Sequence, residues 1–196
     1  MLQQMKFQKL VTVLGLASAV LFFVLGLGYS TNLYTLYYFI DETSFMYVEG
    51  SRIYYDVQDF NRTEVVYAVV MLILAALCFI TLNNTRRKYY ISNYISSAAY
   101  VAFNVYTSYY VFTNAVAHKD QFLNTVAFDQ WEFWVEMFPN DFVVNKSTFW
   151  FDAAMAVSVI GVVVAILIVA NVIWKVIWMS KEAEAMKLLK TAKEAR

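Results

Sequence analysis

Residues 91–117 form a long apolar stretch crossed by a regular row of polar side chains, and this combination restricts the architectures open to the chain more than any other feature. Asn93, Ser97, Tyr100, Asn104, Thr107, Asn114 and His118 follow one another at spacings that alternate between four and three, with Val111 completing the row. Such spacing gathers one face of an α-helix. Amides and hydroxyls are costly against hydrocarbon, so in a membrane this face has to meet other helices, a partner subunit or water.

A membrane is the environment the rest of the sequence demands. Of 196 residues, 61% are hydrophobic and 15% charged, and the mean hydropathy is +0.51. An ordinary water-soluble domain does not have that balance. Pro139 is the single proline, and with five glycines the chain has no room for linkers or low-complexity tails, so residues 1–196 read as one unit. Cys78 is the single cysteine, which excludes an architecture whose long loops are locked by intrachain disulfides.

Four runs are read as membrane spans: 10–29, 65–82, 91–117 and 153–174. The first competes with a secretory signal peptide ending near Ala17-Ser18-Ala19. Cleavage there would leave too short a hydrophobic core and strand apolar residues beyond the cut, so the run is expected to be an uncleaved span. The connection 83–90, with Arg86, Arg87 and Lys88, is short enough to make the second and third spans antiparallel neighbours.

Two long acidic, aromatic loops join the other spans. The loop 30–64 holds Asp41, Glu42, Glu49, Asp56, Asp59 and Glu64, and the segments on either side of Gly50 suggest a short hairpin. The loop 118–152 holds a predicted short helix over 126–138, with Trp131, Trp134 and Phe138 on one side and Asp129, Glu132 and Glu136 on another, ended by Pro139. Its aromatics suit a membrane surface or a cap over the helices. The tail 180–196 is rich in Ala, Lys, Glu and Leu and is expected to prolong the last span as a solvated helix.

Basic residues are divided unequally. Lys6, Lys9, Arg86, Arg87, Lys88, Lys175, Lys181, Lys187, Lys190, Lys193 and Arg196 flank one side, against Arg52, Arg62, Lys119 and Lys146 on the other. The positive-inside rule then places both termini in the cytoplasm and both long loops outside the cell membrane. Each half repeats the order of basic entry, span, acidic loop and span, a layout that resembles a parallel repeat without residue-level similarity.

The chemistry on offer is sparse. One His and one Cys in different segments make a dedicated metal site unexpected, and neither a phosphate-binding glycine loop nor a nucleophile elbow is present. No catalytic residue, cofactor or metal is therefore assigned, and the protein is not expected to be an enzyme. Asp129, Glu132 and Glu136 can be a cation-gathering face or simply solvated, and His118 a hydrogen-bonding residue or a pH sensor. None of the spans carries an ionisable residue near its centre, which counts against a proton-coupled carrier.

The reading is thus an all-α membrane protein, a four-helix transmembrane bundle with its outer loops packed as a cap. Its expected role is a non-catalytic accessory or scaffolding subunit of a larger membrane complex. It would bind other integral membrane proteins, or copies of itself, through the polar row and the aromatic cap, with no nucleic-acid partner. The alternative is a homo-oligomeric channel or small-solute transporter with the polar row lining the pore.

Overall fold

The computed structural model describes residues 2–84, 91–139 and 141–194. Within them are five α-helices, α1 (Leu2–Gly28), α2 (Ile53–Asn83), α3 (Ser92–Thr125), α4 (Phe128–Met137) and α5 (Phe149–Glu194), and one 3₁₀ helix, Thr31–Phe39. The basic connection 85–90 lies outside the described residues.

The expected four-helix transmembrane bundle is corrected by this structure. Among the described residues three segments are long and apolar enough to cross a membrane: Gln3–Phe39, Ile53–Asn83 and Phe149–Leu188. α3 has the length, 34 residues, but its tyrosines, hydroxyls and amides dilute the valines and phenylalanines between them, and it does not reach the hydropathy of the other three. The sequence reading gave the apolar residues of 91–117 more weight than that dilution allows. With three such segments, the chain is an all-helical, multi-pass membrane-spanning protein.

α1 and α3 each pack along both α2 and α5. Tyr94 Oη donates to Met179 Sδ at 3.6 Å and Gln8 Nε2 to the Leu82 carbonyl. The start of α1, the end of α2, the start of α3 and the later part of α5 therefore share one end of the molecule, the terminal end. At the opposite, loop end, Phe60, His118 and Phe151 of α2, α3 and α5 form one ring cluster with Tyr29, the residue that follows α1. Their centroid separations include 4.9 Å for Tyr29–Phe60, 5.2 Å for Phe60–His118 and 5.5 Å for Tyr29–Phe151.

The loop end is ordered by helices rather than strands. α2 starts at Ile53, well before the charge-free run at 65, because Ile53, Val57, Phe60 and Glu64 continue the buried row of Ala68, Met71, Ala75, Cys78 and Leu82 at spacings of three and four. The hairpin expected around Gly50 is not formed: turns precede the glycine, and Ile53 and Tyr54 already belong to α2. Gly50 takes φ +79°, and a Cβ there would lie 2.3 Å from the Thr125 carbonyl oxygen, so both its backbone and its contact demand glycine.

The two loop regions touch. The Ala127 N–H donates to the Glu49 carbonyl at 3.0 Å, and Thr35 Oγ1 to the Val143 carbonyl at 2.9 Å. The 3₁₀ helix buries Leu33, Leu36 and Phe39 beneath these contacts. α5 runs 46 residues without a break, about 70 Å at 1.5 Å per residue, so the tail continues the last apolar segment directly. Ser147 Oγ accepts the Phe149 N–H at its start.

Candidate functional site

The polar row of α3 points into the molecule. Asn93, Ser97, Tyr100, Asn104, Thr107 and His118 are all buried against the other helices of the same chain. Ser97 Oγ donates to the Asn93 carbonyl at 2.7 Å. Tyr100 Oη donates across to the Gly15 carbonyl of α1 at 3.0 Å. Asn104 Nδ2 reaches both Tyr100 Oη and the Gly161 carbonyl of α5 at 3.1 Å, and its Oδ1 accepts from Ser108 at 3.2 Å. Thr107 Oγ1 is buried with no hydrogen-bond partner among the described residues.

Asn114 does not share this position. It is half-buried and donates to Tyr110 O of its own helix at 2.8 Å, while Ala115 occupies the buried row. A strict seven-residue repeat drifts by about 20° per heptad on a straight α-helix. Over the three heptads from Asn93 to Asn114 that rotation moves the row by one residue.

At the loop end the row meets a carboxylate that the sequence reading placed in the first loop. Glu64 is 0% exposed, and neither carboxylate oxygen has a hydrogen-bond partner among the described residues. Gly26 of α1 gives it room: a Cβ at that position would lie 2.1 Å from Glu64 Oε2. Tyr29 Oη, also buried, lies 3.4 Å from His118 Nδ1. Burial pushes the His118 imidazole below its usual range, opposed in part by Asp56, an exposed residue of α2 that accepts from Gln121 Nε2 at 3.0 Å. Exposure falls from Asp56, in the open, to His118 at 7%, Tyr29 at 1% and Glu64 at 0%.

Tyr29 and Glu64 were absent from the sequence-derived candidates. A signal existed for Glu64, which falls on the row that runs from Ile53 to Leu82. Charge alone assigned it to a loop. Tyr29 was read as the last residue of the first span, and nothing local in the sequence pairs it with His118, 89 residues away.

The aromatic and acidic residues of α4 divide sharply. Trp131 is fully buried, Trp134 is half-buried and packs on Phe45 with centroids 5.8 Å apart, and Phe138 is exposed. Asp129, Glu132 and Glu136 are exposed, and Glu132 pairs with Lys146 at 2.6 Å. Among the described residues no group of three or more His, Cys, Asp or Glu is arranged to hold a metal ion. No protein-family model matches the chain, and neither curated proteins nor solved structures provide a significant match to it.

Proposed function

We propose that this protein moves protons across the membrane through the interior of a single chain, with Glu64 as the group that takes up the proton. The observation that carries this reading is the complete burial of Glu64 with both oxygens unpartnered among the described residues. A buried carboxylate without a countercharge is expensive, and in membrane proteins such groups mark proton and ion pathways. A metal cation needs several oxygen ligands around it, which a lone carboxylate does not supply. A proton needs one. Toward the loop end, Tyr29 Oη and His118 Nδ1, 3.4 Å apart, are a buried titratable pair through which a proton can pass. Beyond Glu64, the hydroxyl and amide groups of Thr107, Ser108, Asn104 and Tyr100 continue the polar core toward the terminal end.

The test is proton flux into liposomes that contain the purified chain and a trapped pH dye, driven by a potassium gradient with valinomycin. Flux above that of protein-free liposomes supports the proposal. Flux equal to theirs, at a confirmed protein-to-lipid ratio, removes it.

A second reading, that of an accessory subunit, is favoured by the loop end. Phe45, Phe133 and Phe138 stay exposed around the half-buried Trp134, as a docking surface for another membrane protein or a second copy would require. In that reading α4 makes the contact and the enclosed polar row holds the subunit together. Native mass measurement of the complex extracted from its own membrane separates the two, because a lone chain has no partner to assist. Under either reading Lys6, Lys9, Lys181 and Lys187 at the terminal end support a cytoplasmic position for that end.

A further inference from the structure

At the terminal end, far from Glu64, helices α1, α2 and α5 enclose a cavity of about 220 Å³. This is well above the ~15 Å³ that a single water requires. Gln4 and Gln8 of α1, Asn83 of α2 and Lys175 of α5 give it a polar wall, and Trp178 and Met179 an apolar one. Among the described residues no carboxylate lines it.

Lys175 is only 5% exposed, and its Nζ is buried without a hydrogen-bond partner among the described residues. A lysine at the edge of a membrane-spanning helix ordinarily lays its stem along the apolar surface and lifts the ammonium into headgroup water. Lys175 instead keeps its terminal nitrogen inside. One turn earlier, Asn171 accepts from Gln4 Nε2 at 3.2 Å, which leaves the buried Asn171 Nδ2 as a second unused donor. Asn83 donates to Thr12 Oγ1 at 2.9 Å and keeps a buried, unused Oδ1 acceptor. The lining therefore offers the buried Lys175 amine, a second, exposed lysine at Lys9, and one acceptor suited to a hydroxyl, with the unused Asn171 donor one turn behind Lys175.

We propose that this cavity binds a phosphate-bearing anion, with Lys175 as its countercharge. A phosphate ester of glycerol matches the inventory: the phosphoryl oxygens meet the Lys175 ammonium, with Lys9 at the exposed edge adding to the positive field, and a glycerol hydroxyl meets Asn83 Oδ1. That chemistry has two sources, a phospholipid headgroup and a free phosphate ester. The apolar wall, and the tryptophans 174 and 178 that mark headgroup depth, suit the lipid.

The experiment measures binding to the full-length chain in a neutral detergent, by native mass spectrometry and by thermal shift. The probes are dioctanoyl-phosphatidylglycerol, glycerol 1-phosphate and the phosphate-free dioctanoylglycerol. The phosphatidylglycerol is expected to bind at one copy per chain and raise the unfolding temperature, while dioctanoylglycerol does neither. Lys175→Gln is expected to weaken that binding about tenfold or more, and Gln4→Leu, which leaves Lys175 in place, to weaken it by a smaller factor. Without ligand, Lys175→Gln should be at least as stable as the parent, because it removes an uncompensated buried charge. Glycerol 1-phosphate binding as well as the lipid would identify a soluble phosphate ester as the occupant, and binding by the lipid alone would identify the headgroup. The proposal is overturned if neither phosphate compound binds, if Lys175→Gln binds as tightly as the parent, or if that variant without ligand is less stable than the parent.

Discussion

The Glu64 carboxylate occupies the space that a side chain on Gly26 would claim, 2.1 Å from where its Cβ would stand. Adding a methyl group at that point must displace the carboxylate or part α1 from α2, and overpacking of this kind costs about 1–3 kcal/mol. Gly26→Ala is therefore expected to lower thermal stability in detergent. In a Glu64→Ala background the same change should cost much less, since the group it strikes is gone, and the non-additivity of the double variant measures the contact. Additive effects would show that the two residues do not meet.

Trp131 and Trp134 should differ in a mutational comparison. The sequence singles out both, but only Trp131 is fully enclosed, while Trp134 is half-buried against Phe45. Trp131→Ala is expected to cost about 3–5 kcal/mol, and Trp134→Ala clearly less. Equal losses in chemical or thermal unfolding would contradict the packing of α4 described above.

Asn104 and Asn114 provide a matched pair on one helix. Asn104 bridges α3 to α5 through the Gly161 carbonyl at 3.1 Å, whereas Asn114 bonds within its own turn. Replacement of Asn104 by Leu should weaken the folded chain by roughly 0.6–2 kcal/mol, the range of polar contacts between helices in membranes. Asn114→Leu should change stability little. A larger loss at Asn114 would mean that its face is covered by something other than this chain.

These two asparagines also show how far the sequence could be read. The spacing of three and four located a polar helical face correctly, and it included Asn104, Tyr100 and Thr107, which the structure buries together. It also included Asn114, because a heptad row treats 3.5 and 3.6 residues per turn as equal when they differ by about 20° per heptad. What covers the face was not legible. Gly15 of α1, Gly161 of α5 and Tyr29, just after α1, supply the contacts, between 57 and 89 residues away in sequence. Glu64 was misplaced because a charge beside an apolar run is ordinarily a loop residue, and only the continuation of the α2 row from Ile53 argues otherwise. The fourth span failed because apolar residues were counted without weighing the polar ones between them.

Orientation is open to a direct test. Lys146 and Lys187 are exposed at opposite ends of the molecule. Cysteine at Lys146, in a Cys78→Ala background, should be labelled by an impermeant maleimide added to intact cells. Cysteine at Lys187 should be labelled only after permeabilisation. The reverse pattern would invert the orientation drawn from the basic residues. Ser51 is unsuitable as a probe, since it is fully buried and donates to the Phe39 carbonyl at 2.9 Å.

The most direct measurement is proton flux through Glu64→Gln beside the parent chain in liposomes of the same composition. Glutamine keeps the size of the side chain and its place beside Gly26 but cannot carry the proton as a carboxylate does. The account predicts flux in the parent and a loss of about tenfold or more in Glu64→Gln, with helical content and recovered particle size unchanged. Parent-level flux in Glu64→Gln, or a parent chain no more conductive than empty liposomes, would contradict it.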